Sequence, residues 1–367
     1  MTVPTTTDRT AQATAQQILA RCRELVRPQL AAAIGRLHPW PGEMAAFSLG
    51  WSELNGRPVP GTGIGSGRGT GTGRGTGGKG VRQALTVLCA EAVGAPGETA
   101  VAGAVAVELI HTFSLLHDDI MDGDELRRQR ATVWKAYGTG PAVLAGDALF
   151  ALALETLAES GNPHSGEAVR HLAGALNDLV RGQAEDLLFE SRPWTGPHAV
   201  EPHEYRSMAD HKTGSLLGCA AALGATLAGA PAPTVAALAR AGRHLGVAFQ
   251  AVDDLLGIWG DPEVTGKPVH NDLRQTKKTF PVLAALATPG PAARRLTALL
   301  TSPTPLDAAA LRDAAALIEE AGGHSAALDE AHRHLDIVRD CLDSVPLSRD
   351  AAGDIRTLLP FLVSRRM

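Results

Sequence analysis

Residues 101–128 read VAGAVAVELIHTFSLLHDDIMDGDELRR, an apolar segment that ends in a cluster of carboxylates and two arginines. Its apolar residues recur every three or four positions, which predicts one α-helix through most of the segment. The residues that set this spacing are Val101, Val105, Leu109 and Leu116. Asp118 and Asp122 are four positions apart, so on a helix they share one face, with Asp119 beside them. Three like charges within one turn repel each other by about 1–4 kcal/mol per close pair, so a compensating positive charge is expected.

This acidic cluster supports two interpretations. One is a solvated helix end at which Arg127 and Arg128 neutralise the carboxylates, which is the usual setting of a run of charges. The other is a Mg²⁺ site, because magnesium prefers oxygen ligands and commonly combines one or two carboxylates with substrate phosphates. The cluster alone does not decide between them.

A second acidic pair favours the metal site. Asp253 and Asp254 follow Phe249-Gln250 at the end of an apolar helical stretch. Such a pair is harder to explain as surface decoration, because carboxylates are seldom buried without a partner. Isolated lysines lie between and after the two clusters, at Lys212, Lys267 and the pair Lys277-Lys278. Carboxylates that hold Mg²⁺, together with scattered lysines and arginines, are the side chains that bind a diphosphate.

Outside these clusters the sequence is typical of an all-α protein. Alanine, leucine, glutamate and arginine dominate after residue 80, and glycine–proline breaks separate the helical stretches at short intervals. This pattern predicts a bundle of roughly ten to twelve helices. Residues 56–80 hold 12 of the 40 glycines and offer no apolar face, which predicts a flexible loop. The expected organisation is a helical N-terminal extension over 1–55, a glycine-rich loop over 56–80 and an all-α domain over 81–367.

Composition and charge exclude several classes of protein. The chain has 367 residues, 44% of them hydrophobic, and a net charge of −5, which excludes a disordered chain and a basic nucleic-acid-binding protein. The four cysteines are far apart, which excludes a disulfide scaffold and a cysteine-rich zinc site. The N-terminus lacks a signal-peptide pattern, and no uninterrupted apolar run of about 18 residues occurs. We therefore expect a cytoplasmic protein with no membrane anchor and no nucleic-acid partner.

Several motifs occur in a fixed order along the chain. They are Gly77-Gly78-Lys79-Gly80-Val81-Arg82, Asp118-Asp119-Ile120-Met121-Asp122 with Arg127-Arg128, Lys212-Thr213, Phe249-Gln250 with Asp253-Asp254, and Gly266-Lys267 with Asp272 and Lys277-Lys278. With these motifs the chain resembles the trans-isoprenyl diphosphate synthases, the polyprenyl synthetase family, over about residues 76–290. It is most similar to geranylgeranyl diphosphate synthases of actinobacterial type, in which a segment like Phe47–Trp51 precedes a glycine loop.

The resemblance implies a fold, an activity and partners. The fold is an all-α, isoprenoid-synthase-like helical bundle around a central cavity. The activity is Mg²⁺-dependent head-to-tail condensation of isopentenyl diphosphate with an allylic diphosphate, which gives a linear polyprenyl diphosphate. The family also leads us to expect three Mg²⁺ ions per active site and a homodimer.

The resemblance also assigns roles to individual residues. The metal ligands would be Asp118, Asp122 and Asp253, supported by Asp119 and Asp254. The allylic diphosphate would contact Arg127, Lys212 and Lys267, and isopentenyl diphosphate would contact Lys79, Arg82, His111 and Arg128. The catalytic residues that stabilise the allylic carbocation would be Lys212, Thr213 and Gln250. The released diphosphate would take the final proton, so no histidine base is expected.

Two glycines depart from the family pattern. The family often has arginine where Gly80 stands and proline where Gln83 stands, so we expect weaker binding of isopentenyl diphosphate. The second aspartate-rich motif usually ends in a third aspartate, where this chain has Gly257. Asp253 is still present, so we expect metal binding with less redundancy.

Product length is the finer part of the prediction. In the family, the residues four and five positions before the first motif, here Ser114 and Phe113, shape the floor of the product pocket. Ser114 lies one helical turn from Asp118, and Phe113 lies about 7.5 Å from it along the helix axis. An aromatic residue at this place, with no insertion inside the motif, resembles geranylgeranyl diphosphate synthases and predicts a C20 product. A plain core role for Phe113 is the alternative, since most buried aromatic residues pack in cores.

Other functions remain open on these residues. A farnesyl or longer-chain synthase would use the same motifs. A non-catalytic subunit of a heteromeric synthase would account for Gly80 and Gly257. A class I terpene cyclase would also carry the first motif, but its second metal motif requires a serine or threonine and then a glutamate, where this chain has Gln275 and Thr279.

Overall fold

The computed structural model describes residues 6–54, 56–59, 80–127, 129–262 and 268–363. Most of these residues lie in helices, so the predicted all-α fold class is confirmed. The extended elements within these ranges are small. Strands β1 (Leu126–Arg127) and β2 (Arg130–Ala131) pair antiparallel, with Arg127 opposite Arg130.

The helices outnumber the ten to twelve expected from the sequence. Those before residue 200 are α1 (Thr6–Ile34), α2 (Pro39–Ser48), α3 (Val81–Ala92), α4 (Val101–Met121), α5 (Val133–Tyr137), α6 (Thr139–Ala158) and α7 (Ser165–Ser191). Those after it are α8 (Pro202–Ala209), α9 (Ser215–Leu227), α10 (Ala232–Trp259), α11 (Asn271–Arg274), α12 (Phe280–Ala287), α13 (Pro291–Leu300), α14 (Ala308–Glu320), α15 (Gly323–Asp343) and α16 (Arg349–Val363). Short helices such as α5 and α11 account for the difference, because they hold too few residues to give a periodic pattern.

The chain forms two compact units. The first comprises Met1–Leu172, Ala220–Val235 and Pro346–Ile355. The second comprises Ala173–Cys219, Ala236–Val345 and Arg356–Met367. The boundaries expected near residues 55 and 80 stay a prediction, since residues 60–79 lie outside the described part of the chain.

Helix α4 forms the centre of the first unit. Every residue from Val101 to Ile110 is buried, and α3 and α6 pack against the helix. Its alanine, glycine and valine residues let these neighbours approach closely, and each larger apolar side chain contributes about 1.5–3 kcal/mol when fully buried. The polar end of α4 is only partly covered. The carboxylates therefore lie at the edge of the core, held by a helix whose other end is fixed.

The core of the second unit surrounds the second acidic pair. Apolar side chains from α7, α8, α10 and α12 meet there, and include Phe189, Tyr205, Leu255 and Phe280. A neighbouring cluster joins α10, α12, α13 and α14. The C-terminal half of α10 is thus covered by apolar residues.

Two further expectations concern the cysteines and the membrane. Cys22, Cys89, Cys219 and Cys341 are all buried free thiols, which agrees with the absence of a disulfide scaffold.

Helices Gly97–Met121 and Thr139–Ala158 are long and apolar enough to cross a membrane by length and composition. Core helices meet the same criteria, so this is weak evidence for a span. The absence of a membrane anchor stays a prediction.

Candidate active site

The first acidic cluster lies at the C-terminal end of α4. The backbone N–H of Asp122 donates to the carbonyl oxygen of Asp118 at 2.8 Å, so the two residues lie one above the other, as the spacing predicted. Both are partly exposed, whereas Asp119 is buried. Asp118 and Asp122 are therefore the carboxylates of this cluster that are accessible to a ligand.

Arg127 neutralises the buried member of the cluster. Its Nε and Nη2 atoms donate to Oδ1 of Asp119 at 2.8 and 2.7 Å. The short β1–β2 pair that follows α4 brings the guanidinium back to the helix. Asp119 thus ties Arg127 to the helix end, which fits the supporting role expected for it. The guanidinium predicted to contact the allylic diphosphate therefore lies beside the carboxylates predicted to bind metal.

A cavity of about 60 Å³ lies beside this cluster in the first unit. Glu108, His111, Asp119 and Arg127 line it, together with Phe47 from α2. The predicted isopentenyl diphosphate contacts meet close by, since His111 Nε2 lies 3.3 Å from Nη1 of its partner arginine in α3, Arg82. Sequence reasoning missed the contribution of α2, because nothing in a helix far upstream in sequence indicates which cavity it covers.

The two residues of the second acidic pair differ in burial. Asp254 is 3% exposed. It accepts hydrogen bonds from the Tyr205 hydroxyl, from Gln250 Nε2 at 3.0 Å and from the backbone N–H of Phe280 at 2.8 Å. Burial raises the pKa of Asp254 to about 7, against the lowering effect of these donors. Asp253, the adjacent residue, is partly exposed and is the member of the pair that a metal ion can reach.

Lys212 and Thr213 lie on a π-helical turn, Asp210–Gly214, between α8 and α9. Single π turns inside helices are uncommon and often occur at functional sites. Lys212 Nζ donates to Oδ2 of Asp186 at 2.5 Å, and Thr213 Oγ1 donates to Oε1 of Gln250 at 2.7 Å. The three residues predicted to stabilise the carbocation therefore lie together, because Thr213 follows Lys212 in sequence and is hydrogen-bonded to Gln250.

Close packing supports this turn. A Cβ atom placed on Gly182 of α7 would lie 2.7 Å from Cα of Lys212, so only glycine fits there. Sequence reasoning missed Gly182, Asp186 and Tyr205. A glycine and an aspartate inside α7 are unremarkable by spacing, and the sole signal for Tyr205 was its place seven residues before Lys212.

The structure accounts for the absence of an aspartate at Gly257. The carboxylate of Asp272, at the start of α11, lies directly over Gly257. A Cβ atom placed on this glycine would be 2.9 Å from Oδ1 of Asp272 and closer still to Cγ and Oδ2. Asp272 therefore fills the space that a side chain at 257 would need, and a carboxylate is present there although the motif lacks one.

The other departure, Gly80, has a conformational reason. Gly80 precedes α3 with φ 68° and ψ 25°, in the left-handed region that favours glycine. The buried side chain of Gln83 lies over it, with Nε2 2.7 Å from the place of a Cβ atom. Gly80 and Gln83 thus fit each other. An arginine at position 80 would require both a strained backbone and a displaced Gln83.

The predicted product-length residues lie on α4, and the ring of Phe113 contacts α6. The ring of Phe113 packs edge-on against His117 at 4.7 Å and at a tilt against Phe150 at 5.6 Å between ring centroids. Ser114 Oγ donates to the carbonyl oxygen of His111 at 2.9 Å. Phe150 is a further aromatic residue at this place, which the sequence analysis did not identify.

The donor set suits Mg²⁺. Among the described residues, no three histidine, cysteine, aspartate or glutamate side chains form a ready metal site. Mg²⁺ does not require one, because it keeps water and substrate phosphates as ligands and takes one or two carboxylates from the protein. Asp118, Asp122 and Asp253, the predicted metal ligands, are partly exposed carboxylates. Lys79, Arg128 and Lys267 lie outside the described residues, so their predicted roles stay predictions.

Comparison with known proteins agrees with this chemistry. The model of the polyprenyl synthetase family matches residues 73–318. A (2E,6E)-farnesyl diphosphate synthase of Mycobacterium tuberculosis is 43% identical over 352 residues, which cover 95% of this chain and 93% of that protein. A geranylgeranyl diphosphate synthase of the same organism is 43% identical over 307 residues, with 83% and 82% covered.

Comparison with solved structures also finds polyprenyl synthases. A polyprenyl synthetase from Streptomyces coelicolor A3(2) superposes with a TM-score of 0.85 at 46% identity, covering 95% of this chain and 99% of that one. A polyprenyl synthase from Caulobacter crescentus CB15, solved with calcium and isoprenyl diphosphate, gives a TM-score of 0.79 at 28% identity, covering 96% of this chain and 98% of that one. The fold and the site thus define an all-α prenyltransferase. This chain belongs to the polyprenyl synthetase family.

Proposed function

We propose that this enzyme joins isopentenyl diphosphate head-to-tail to an allylic diphosphate and stops at geranylgeranyl diphosphate, a linear C20 product. Family membership already makes it an enzyme of prenyl chain elongation. The observation that carries the residue-level proposal is the partly buried hydrogen bond between Thr213 and Gln250, next to Lys212 on the π turn. The uncharged oxygens of Thr213 and Gln250 can face a carbocation while the ammonium group of Lys212 faces a phosphate. This arrangement suits a reaction that separates positive and negative charge.

The reaction begins with cleavage of the allylic carbon–oxygen bond. The electron pair leaves with the diphosphate, so negative charge grows there and a carbocation remains. Arg127 and Lys212 would bind the leaving diphosphate, since arginine contacts phosphate in a bidentate manner and lysine as a point charge. The family resemblance assigns Asp118, Asp122 and Asp253 to Mg²⁺, which when bound would supply further positive charge to the leaving group. From the family resemblance we expect three ions.

The new bond forms when the double bond of isopentenyl diphosphate attacks the carbocation. The oxygens of Thr213 and Gln250 and the carbonyl of Lys212 would stabilise the cation through their dipoles. Arg82 and His111 would hold the diphosphate of the attacking substrate. The intermediate then loses a proton to the released diphosphate, which restores a double bond and leaves the product extended by five carbons.

The C20 length rests on the aromatic contacts between α4 and α6. Phe113, braced by His117 and Phe150, would close the product pocket, while the small Ser114 leaves room above it. The relatives support elongation but differ in product, since one is a farnesyl and the other a geranylgeranyl synthase. The length is therefore a proposal from these side chains.

Product analysis tests both levels of the proposal. Purified protein would be incubated with Mg²⁺, isopentenyl diphosphate and dimethylallyl, geranyl or farnesyl diphosphate separately, and the dephosphorylated products identified by gas chromatography–mass spectrometry. We expect a linear C20 alcohol that disappears in Asp118→Ala. Phe113→Ala and Phe150→Ala should lengthen the product, whereas Trp40→Ala, which removes a ring that is 46% exposed, should not.

Other outcomes discriminate between the alternatives. A C15 or longer product from the wild type would retain elongation and overturn the length proposal. Cyclic hydrocarbons would indicate a terpene cyclase, and no turnover with any allylic substrate would favour a non-catalytic subunit. From the family resemblance we also expect a homodimer, and from the sequence composition a cytoplasmic protein. Light scattering after size-exclusion chromatography would measure the number of subunits.

A further inference from the structure

Four side chains of the second unit form a hydrogen-bonded chain. The Tyr205 hydroxyl donates to Oδ2 of Asp254, which also accepts from the backbone N–H of Phe280 at 2.8 Å. Oδ1 of the same carboxylate accepts from Nε2 of Gln250 at 3.0 Å. Oε1 of Gln250 accepts from the Thr213 hydroxyl at 2.7 Å. The series of hydrogen bonds therefore runs from Tyr205 through Asp254 and Gln250 to Thr213.

When Asp254 is ionised, the chemistry of donors and acceptors leaves one arrangement of these hydrogen bonds. An ionised carboxylate only accepts, so Tyr205 and the amide nitrogen of Gln250 both donate to Asp254. Because the amide nitrogen faces Asp254, the amide oxygen faces Thr213, and the threonine hydroxyl donates to it. The remaining lone pairs of Thr213 Oγ1 are then the ones available to an electron-poor carbon.

Tyr205 is well placed to fix that arrangement. It is 4% exposed, Asp254 is 3% exposed, and the Tyr205 ring packs 5.7 Å from the ring of Phe280. A buried carboxylate has no water to replace a lost donor, so each of its protein donors restricts its orientation. Without the hydroxyl, the carboxylate would keep two of the three donors named above and could turn away from Gln250.

We propose that Tyr205 is a positioning residue for prenyl transfer, which acts through Asp254 and Gln250 to orient the Thr213 hydroxyl toward the allylic carbocation. The inference rests on the proposed function, because Thr213 and Gln250 must stabilise the cation for their orientation to matter. It adds to the quoted family motifs a buried residue outside them, Tyr205. It also gives Asp254 a task separate from metal binding.

The first test is the kinetics of Tyr205→Phe, which removes the hydroxyl and keeps the ring. We expect kcat to fall roughly tenfold, the effect of losing one hydrogen bond to a charged group, while KM for both substrates changes less than about twofold. The chain has two tyrosines, so Tyr137→Phe is the matched control. Tyr137 also donates to a carboxylate, that of Glu43 at 3.0 Å, and its loss should leave kcat unchanged.

A double variant tests whether the effect passes through Thr213. If Tyr205 acts by orienting the Thr213 hydroxyl, Tyr205→Phe should lower kcat by less than about twofold in a Thr213→Val background. An undiminished tenfold effect in that background would overturn the positioning role. So would an unchanged kcat in Tyr205→Phe alone.

A spectroscopic measurement tests the hydrogen bond itself. Protein labelled with 3-fluorotyrosine should give two ¹⁹F resonances, which Tyr137→Phe assigns. The Tyr205 resonance should shift in Asp254→Asn and stay in place in Glu43→Gln. A Tyr205 resonance that does not shift in Asp254→Asn would overturn the inference.

Wild-type protein without prenyl transfer would refute the proposed function and the catalytic role together. An active wild type whose kcat is unaffected by Tyr205→Phe would refute only the positioning role.

Discussion

Replacing Gly257 with aspartate would restore the family's usual residue, yet we expect it to impair this enzyme. The reason is that the Asp272 carboxylate already lies over Gly257, with Oδ1 2.9 Å from the place of a Cβ atom. Asp272 must move to admit the new side chain. Overpacking of this kind costs about 1–3 kcal/mol, and two carboxylates about 4 Å apart add up to about 4 kcal/mol of repulsion near a protein surface.

The smaller of these costs sets the expected result. About 1.4 kcal/mol corresponds to a tenfold change in rate, so a cost of about 1–3 kcal/mol should lower kcat/KM of Gly257→Asp by about fivefold to 150-fold. For a chain of 367 residues, the unfolding entropy is about 0.8 kcal/mol per kelvin, so 1–3 kcal/mol lowers Tm by about 1–4 °C. Steady-state kinetics and differential scanning calorimetry would measure the two effects.

Two further variants isolate the contact. Gly257→Asp combined with Asp272→Gly removes the clash and the repulsion, so Tm should recover and the double-mutant cycle should give a coupling of about 1–3 kcal/mol. Gly174→Asp is the control, because it places the same side chain on α7 with no atom within 4 Å. If Gly257→Asp unfolds at the wild-type temperature and keeps wild-type kcat/KM, the steric reasoning is wrong.

Three other substitutions test separate contacts. Glu330 is 6% exposed and accepts a hydrogen bond from Arg206 at 2.8 Å. Burial opposes ionisation of Glu330, but its cationic partners lower its pKa below the usual value. Glu330→Gln should therefore lower the free energy of unfolding by about 3–5 kcal/mol at pH 7. Because the folded pKa lies below the unfolded one, that stabilisation is complete above about pH 4.5 and is lost below it, so calorimetry should record Tm values that converge on acidification. Gly80→Ala should cost about 1–2 kcal/mol in urea unfolding, since φ is positive there; an unchanged midpoint would contradict the strain. Gly182→Ala should displace the backbone of Lys212 and lower kcat about tenfold, and wild-type kinetics would show that the turn tolerates a methyl group.

Local pattern in the sequence was enough to predict the helical fold and the shared helix face of Asp118 and Asp122. A helix repeats every 3.6 residues, so apolar spacing reveals it, and residues four apart must share a face. Asp118 and Asp122 could be placed together for this reason. The short helices and the π turn around Lys212 escaped prediction, because an element of four or five residues barely changes the periodicity.

Resemblance to a family supplied the candidate roles but not the contacts. It identified Thr213, Gln250 and Asp254 as members of one site, while their order of hydrogen bonds follows from how α8, α10 and α12 pack. It noted Gly257 as a loss, whereas the structure places Asp272 in the space concerned. Residues 15 positions apart in sequence carry no mark of such a contact.

The sequence by itself thus determined an all-α prenyltransferase with two aspartate clusters, because helix periodicity and ordered motifs are local properties of a chain. The tertiary structure alone decided which carboxylates are buried and which are partly exposed. Asp119 is covered by Arg127 and Asp254 by Tyr205, while Asp118 and Asp253 beside them are partly exposed. The physical reason is that burial and donor geometry depend on segments brought together by folding.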